Sequence, residues 1–120
     1  KGDRPMTVEQ ELQLIVNAID DKRAEDIVVL NMSSISPVAD YFVICEGNSE
    51  KQVQAIAREL KEIAHENNLP IKRLEGFDAA RWVLADLENV VVHVFHRDDR
   101  DYYNLEKLWA DAPKVEVEVN

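Results

Sequence analysis

Apolar and polar residues alternate over residues 81–95 in the pattern of a β-hairpin. A two-residue turn at Glu88 and Asn89 would place Leu84 opposite His93 on the neighbouring strand. Because side chains alternate between the two faces of a strand, one face of this hairpin is wholly apolar and must be buried. That face carries Val83, Ala85, Leu87, Val90, Val92 and Val94.

The opposite face of the hairpin mixes aromatic, acidic and imidazole side chains. It carries Trp82, Leu84, Asp86, Val91, His93 and Phe95. A face of this kind is either a second core layer or a recognition surface. For His93, a structural role with a bond to backbone or to Asp86 and a binding role are both consistent with the sequence. Trp82 shares the face with both polar residues and is of a type frequent at binding hot spots, so we predict that it is an anchor.

Three segments show the apolar spacing of amphipathic helices. Residues 7–21 and 49–67 each begin with a capping box, in which a hydroxyl residue is followed three positions later by Gln. The third helix is expected to be capped by Asp98 or Asp99 and to end at Pro113. Its predicted apolar side carries Tyr102, Leu105, Leu108 and Trp109. Short apolar stretches predict three further strands, at residues 26–32, 40–46 and 71–74.

The resulting order is α-β-β-α-β-β-β-α, which predicts an α+β fold in which helices pack on a mixed sheet. The length of 120 residues is that of one domain, for which we predict the limits 7–112. Residues 1–6 are expected to be a disordered lead-in. The tail, residues 113–120, alternates valine with polar residues and could add an edge strand, in this chain or on a partner chain.

Charge and cysteine content limit the class of function. The chain has 24 acidic and 14 basic residues and a net charge of −10. Little or no direct nucleic-acid binding is expected, because phosphates repel an acidic surface, and docking on a basic protein is favoured instead. One cysteine, Cys45, allows neither an intramolecular disulfide nor a cysteine-based metal cluster. No apolar run approaches the ~20 residues of a membrane span, and no signal peptide is visible, so we expect a cytoplasmic protein without a membrane partner.

Familiar catalytic motifs are absent from the sequence. The turn from Gly47 to Ser49 joins a predicted strand to a predicted helix and could bind an anion, although plain capping by Ser49 explains the same residues. His65 and His96 are expected to be exposed. We therefore expect no catalytic residue, no cofactor and no metal site.

An ordered set of short fragments runs over about residues 12–112. It comprises Asp40-Tyr41-Phe42-Val43-Ile44, Gly47, Ser49, Gln52-Val53, Glu75-Gly76, Trp82, Asp86, Val91-Val92-His93-Val94-Phe95, Arg100, Tyr102-Tyr103, Leu105-Glu106 and Leu108-Trp109. In this set the sequence resembles the Iojap/RsfS family of ribosomal silencing factors. It departs from the family at the hairpin turn, where the family usually has Gly-Asp and this chain has Glu88 and Asn89.

The resemblance implies a fold similar to that of nucleotidyltransferases and a function without catalysis. Proteins of this family bind the large ribosomal subunit through its fourteenth protein and block association with the small subunit, which represses translation under nutrient limitation. Nucleotidyltransferase activity needs paired acids on a strand after the Gly-Ser turn, and no Asp-x-Asp follows on a predicted strand of this sequence. The expected partner-binding residues are Trp82, Leu84, Asp86, His93, Tyr102 and Tyr103.

Two other functions stay open at the level of the sequence. One is a nucleotide-binding or nucleotidyltransferase-type enzyme that uses the turn from Gly47 to Ser49. The other is a structural dimerisation module, for which the long second helix or the valine-rich tail could supply the interface. A homodimer therefore stays open as a further possibility beside the ribosomal partner.

Overall fold

The computed structural model describes residues 6–119, in which the chain forms four helices and six strands. In chain order the elements are α1 Val8–Asp21, β1 Glu25–Asn31, β2 Tyr41–Gly47, α2 Glu50–Glu66, β3 Arg73–Glu75, β4 Trp82–Asp86, β5 Val90–His96, α3 Arg97–Tyr103, α4 Leu105–Leu108 and β6 Lys114–Val115. The α+β fold with a mixed sheet is confirmed, and the predicted order holds up to the end of the hairpin. Most of the predicted lead-in, residues 1–5, lies outside the described residues.

The two long helices begin where hydroxyl residues cap them. The hydroxyl of Thr7 accepts the N–H of Gln10 across 3.1 Å, and the Gln10 side chain accepts the N–H of Thr7 across 2.9 Å. At α2, Ser49 accepts the N–H of Gln52, but the Gln52 side chain accepts the N–H of Asn48 rather than that of Ser49. These bonds satisfy amides that helix geometry leaves free, and they fix the first residue of each helix.

The sheet has the strand order β3-β4-β5-β2-β1-β6. Its central pair, β2 and β5, is parallel, and all other neighbours are antiparallel. The hairpin of β4 and β5 has the predicted register, with Trp82 opposite Phe95 and Leu84 opposite His93. Glu88 at the turn takes a positive φ of 79°, a conformation that glycine or asparagine adopts more readily than glutamate.

Apolar side chains form two layers, one on each face of the sheet. The larger layer lies under α1 and α2 and contains the wholly apolar hairpin face, as predicted: Val83, Ala85, Leu87, Val90, Val92 and Val94 are all buried there. The smaller layer lies on the opposite face, where α3 and α4 pack. Its buried members are Leu30, Met32, Ile44, Phe95, Leu105 and Ala112. The second hairpin face therefore contributes to a core layer as well as to the surface.

The C-terminal part of the chain corrects the prediction of one long last helix. Asn104 adopts a left-handed conformation, with φ 45° and ψ 58°, and it separates α3 from α4. The cap of α3 is His96, whose Nδ1 accepts the N–H of Asp98 across 3.1 Å, so the predicted cap at Asp98 or Asp99 is wrong. The expectation of an exposed His96 is also wrong, because this residue is only 9% exposed. Histidine replaces the usual hydroxyl or carboxylate at this cap, which is why the capping pattern did not indicate it.

The C-terminal tail pairs with β1 over two residues only. In β6, Val115 lies opposite Val29, and the backbone then leaves β1. Further along, the carbonyl of Glu118 accepts a bond from the side chain of Gln13 on α1 across 2.6 Å. The tail therefore extends the sheet briefly and is then held against the first helix.

Candidate functional site

The sheet face opposite α1 and α2 is only partly covered. The short helices α3 and α4 pack over one part of it, and the adjoining part is formed by three neighbouring strands, β4, β5 and β2. We call this adjoining part the open face. It consists of Phe42, Trp82, Leu84, Asp86, Val91 and His93, of which the first four are partly exposed. The structure thus brings together four of the six residues that the sequence predicts for partner binding.

Trp82 is held from several sides. Its indole Nε1–H donates to Nδ1 of His93 across 3.2 Å. The indole ring stacks on Phe95, with centroids 5.1 Å apart, and lies 4.6 Å from the ring of Tyr103. One side of the Trp82 ring therefore packs in the second core layer, and the other side is at the surface. These contacts fix the orientation of Trp82 on the open face.

His93 is almost completely buried, with 4% exposure, and burial lowers its pKa to about 4. The imidazole is therefore neutral near pH 7. Its partner is Trp82, and not Asp86 or a backbone group, which were the partners considered for a structural histidine. Because His93 presents almost no surface, it can influence binding only through the positions of the side chains that it contacts, Trp82 and Phe42. Its other nitrogen, Nε2, is buried without a hydrogen-bond partner among the described residues.

Asp86 marks the outer edge of the open face. Its carboxylate accepts the N–H of Glu88 across 2.9 Å, which ties it to the hairpin turn. The guanidinium of Arg73 on the edge strand β3 lies 3.8 Å from the same carboxylate. Between Asp86 and Trp82, the side chain of Leu84 gives the middle of β4 a partly exposed apolar surface. The open face thus has an apolar centre with an acid at its margin.

Two exposed tyrosines at the end of α3 lie beside the open face, and an exposed leucine lies on α4. Tyr102 is 83% exposed and contacts Tyr103 edge-on, and Tyr103 in turn contacts Trp82. Leu108 is 68% exposed, although the sequence predicted it on the buried side of a single helix. The break at Asn104 changes the helical phase, so Leu105 is the residue of α4 that is buried. Leu108 is a surface residue that sequence reasoning missed.

A buried ion pair, also missed at the level of the sequence, anchors α3 and α4 to the sheet. The guanidinium of Arg100 lies 3.3 Å from the Glu46 carboxylate at the end of β2 and makes two contacts of 3.2 Å with Glu106. Burial disfavours the charge of Arg100, but the hydrogen bond and charge of Glu106 and the charge of Glu46 outweigh it, so the pKa of Arg100 is raised. Arg100 and Glu46 are 54 residues apart, and no local spacing links them.

The turn from Gly47 to Ser49 is used for capping. The amides of Asn48 and Gln52 already donate to side-chain oxygens within the turn, which removes donors that an anion would need. Among residues 6–119, no three His, Cys, Asp or Glu side chains are grouped so that they could hold a metal ion. None of the helices in the same range is long and apolar enough to cross a membrane.

A family model described as "Ribosomal silencing factor during starvation" matches residues 5–120. The chain belongs to this family. Among its relatives, Ribosomal silencing factor RsfS of Halalkalibacterium halodurans is 66% identical over 113 residues, which are 94% of this chain and 97% of that protein. A more distant relative, from Mus musculus, is named "Mitochondrial assembly of ribosomal large subunit protein 1". It is 29% identical over 103 residues, which cover 83% of this chain and 45% of that protein.

The fold agrees with that of a solved protein. A crystal structure of a Bacillus halodurans protein superposes with a TM-score of 0.83 at 64% sequence identity, and it covers 91% of this chain and 99% of that one. The resemblance to the silencing-factor family is therefore confirmed. The likeness to nucleotidyltransferases, which the resemblance implies, stays a prediction.

Proposed function

We propose that the protein binds the large ribosomal subunit through the fourteenth ribosomal protein and blocks association with the small subunit. This would repress translation in the cytoplasm under nutrient limitation. Membership of the silencing-factor family supports a ribosome-associated silencing role, and the name of the mouse relative refers to the large subunit. The observation that carries the proposal is the open face, on which a rigidly held tryptophan lies beside exposed tyrosines and one partly exposed acid.

The open face has the features of a hot spot for a protein partner. Trp82 is held by His93, Phe95 and Tyr103, so it loses little conformational freedom on binding. Trp and Tyr are enriched among residues that dominate binding energy. The proposed contacts are Trp82, Leu84, Asp86, Tyr102 and Tyr103. His93 contributes by holding the indole of Trp82 in place through their hydrogen bond. Phe42 belongs to the same surface.

Charge favours a basic protein over bare RNA as the direct contact. The net charge of −10 and the carboxylate of Asp86 on the open face attract a basic surface and steer its approach. The same charge repels phosphates, which make most contacts in nucleic-acid complexes. A ribosomal protein that is exposed on the subunit surface fits this requirement better than the surrounding RNA.

We propose further that the protein acts without catalysis and without a cofactor. At the turn from Gly47 to Ser49, backbone amides already donate to the side chains that cap α2. The open face presents one partly exposed acid rather than a pair. Steric occlusion needs neither a nucleophile nor a metal. The homodimer considered at the level of the sequence stays a prediction, and sedimentation equilibrium of the purified protein measures it.

Sucrose-gradient sedimentation of purified ribosomal subunits tests the proposed function. The protein is expected to sediment with the large subunit and to reduce the fraction of joined ribosomes. Leu84→Lys places a cation at the centre of the open face and should weaken large-subunit binding by roughly tenfold or more. His65→Lys places the same residue on the exposed side of α2 and serves as the matched control. A protein that leaves subunit joining unchanged, or a Leu84→Lys variant that binds as well as the control, would contradict the proposal.

A further inference from the structure

A cleft of about 670 Å³ lies between β1 and the C-terminal tail, at the sheet edge away from β4 and the open face. Its floor is apolar and includes Val16, Ala24, Ile27, Val29, Val115 and Val117. Its rim is acidic: Asp20, Asp26, Glu116 and Glu118 line it, against the single basic lining residue Lys114. An apolar floor with an acidic rim is therefore present at a site that the proposed function does not use.

The cleft exists because β1 and the tail diverge. Pairing between β1 and β6 stops after Val115, and the register of β1 is irregular between Glu25 and Val28. Asp26 lies within this bulge and has a positive φ of 50°. A bulge bends a strand and interrupts its ladder, and the pairing of β1 with the tail ends at Val29, next to this irregular stretch. Within the described part of the chain, the β1 backbone from Glu25 to Val28 has no partner strand on the tail side.

We propose that an extended basic segment of a partner protein lies in this cleft and adds as a strand to the free edge of β1. Strand addition uses the unpaired backbone groups of an edge for affinity and the alternate side chains for specificity. In such a segment, alternate apolar side chains would lie on the valines of the floor. The intervening Lys or Arg side chains would reach the carboxylates of Asp26, Glu116 and Glu118.

Charge distinguishes this occupant from a second copy of the same chain. A second copy that paired through this edge would bring one acidic rim against another, and each copy carries a net charge of −10. Directly opposed like charges destabilise strand pairing. A basic segment instead neutralises the rim as it binds. The open face lies on other strands, so both surfaces can be occupied at once.

The test is an amide NMR titration of the full chain with a short capped peptide of alternating lysine and valine. The proposal expects saturable shifts that centre on residues 25–29 and 115–119. Two control peptides are used: one has glutamate in place of lysine, and one is N-methylated at alternate amides so that it cannot form a ladder. Neither control should bind. Absence of shifts at about 1 mM peptide, equal binding of the N-methylated peptide, or shifts centred on the open face would overturn the proposal.

A matched pair of variants separates the cleft from general attraction to an acidic protein. Glu116→Gln with Glu118→Gln neutralises two exposed carboxylates of the rim. Glu62→Gln with Glu66→Gln makes the same chemical change on the exposed side of α2. We expect the first pair to weaken lysine–valine peptide binding by roughly fivefold and the second pair to leave it nearly unchanged. Equal weakening by both pairs would overturn the assignment to the cleft.

Discussion

The indole of Trp82 donates its only hydrogen bond to a buried imidazole, that of His93, across 3.2 Å. Because Nδ1 accepts this bond, the proton of the neutral ring resides on Nε2. A second proton would occupy Nδ1 and remove the acceptor. Protonation of His93 is therefore incompatible with the bond that orients Trp82, which agrees with a pKa lowered by burial to about 4. The protonation state of His93 thus affects one of the contacts that orient Trp82 on the open face.

The first prediction concerns acid stability. The pKa of His93 is lowered from about 6.5 in the unfolded chain to about 4 in the fold, so the unfolded state binds more protons in this window. The stabilisation that depends on neutral His93 is complete above about pH 6.5 and is lost as the pH falls toward 4, by roughly 2–3 kcal/mol at pH 4.5. His93→Asn keeps an acceptor near Nδ1 but cannot titrate. Its free energy of unfolding in urea should fall less between pH 7 and pH 4.5 than that of the wild type.

The comparison between wild type and His93→Asn isolates this one ring. Glu11 on α1 is also buried, and burial raises its pKa, which has the opposite effect on stability at low pH. That effect is common to both proteins and cancels in the difference. Identical pH dependence of the two proteins would show that His93 does not titrate with a lowered pKa.

The hairpin was predictable because its alternation is strict. A shift of one residue would move six apolar side chains from the core to the surface, so the hydrophobic pattern determined the register even with Glu88 at an unfavourable turn position. The long helices were predictable for a similar reason. Thr7 and Ser49 cap them in the usual way, and their apolar residues repeat at helical spacing.

The arrangement of α3 and α4 beside the open face was not predictable from local patterns. A left-handed Asn104 in the middle of an amphipathic stretch leaves no signal in the spacing of apolar residues, and it exposes Leu108. The bond between Arg100 and Glu46 joins distant parts of the chain. The sequence identified which residues share the second hairpin face, but it could not show that His93 is buried beneath Trp82.

The second prediction separates recognition from packing within the hairpin. Trp82→Ala should leave the domain folded, at a cost of about 2 kcal/mol because the indole packs on Phe95 and Tyr103, and should weaken large-subunit binding. Val92→Asp should unfold the domain, because Val92 is fully buried on the other face and an unpaired carboxylate there is very unfavourable. Circular dichroism and subunit sedimentation measure the two effects.

Trp82→Phe is the control for the ring itself, since it keeps an aromatic side chain but loses the bond to His93. It should fold and bind with an affinity between those of the wild type and Trp82→Ala. If Trp82→Ala and Val92→Asp both abolish the folded signal, the assignment of the two faces is wrong. If Trp82→Ala folds and binds like the wild type, the anchor lies elsewhere, with Tyr102 and Tyr103 as the next residues to truncate.

The third prediction concerns nucleotides. A ligand present at about 100 times its dissociation constant stabilises a protein by about 2.7 kcal/mol. Because Asn48 and Gln52 already use their amides within the turn after Gly47, we expect Mg-ATP and Mg-CTP to leave the melting temperature unchanged. A concentration-dependent rise with either nucleotide would favour the nucleotide-binding alternative. Ser49→Ala should lower the melting temperature through loss of the cap, with or without nucleotide.

The fourth prediction concerns the buried cation beneath α3 and α4. Arg100 is the shared partner of Glu46 and Glu106. The side chains of Arg100 and Glu46 are both largely buried. Removal of one member of a buried ion pair leaves the other charge without compensation. The same contacts hold α3 and α4 in place, and α3 carries Tyr102 and Tyr103 beside the open face. A change at Arg100 should therefore affect both stability and binding.

Arg100→Met should lower the free energy of unfolding in urea by about 3–5 kcal/mol, because Glu46 is left buried and unpaired. Adding Glu46→Gln to the same chain should restore part of that loss, since the uncompensated charge is then removed. Arg97→Met makes the same chemical change at an exposed position of α3 and should cost less than about 0.5 kcal/mol. Sedimentation of the double variant with the large subunit then measures how much binding weakens when the ion pair no longer holds α3 and α4 on the sheet. A loss for Arg100→Met no greater than that for Arg97→Met would show that this ion pair does not anchor the two helices.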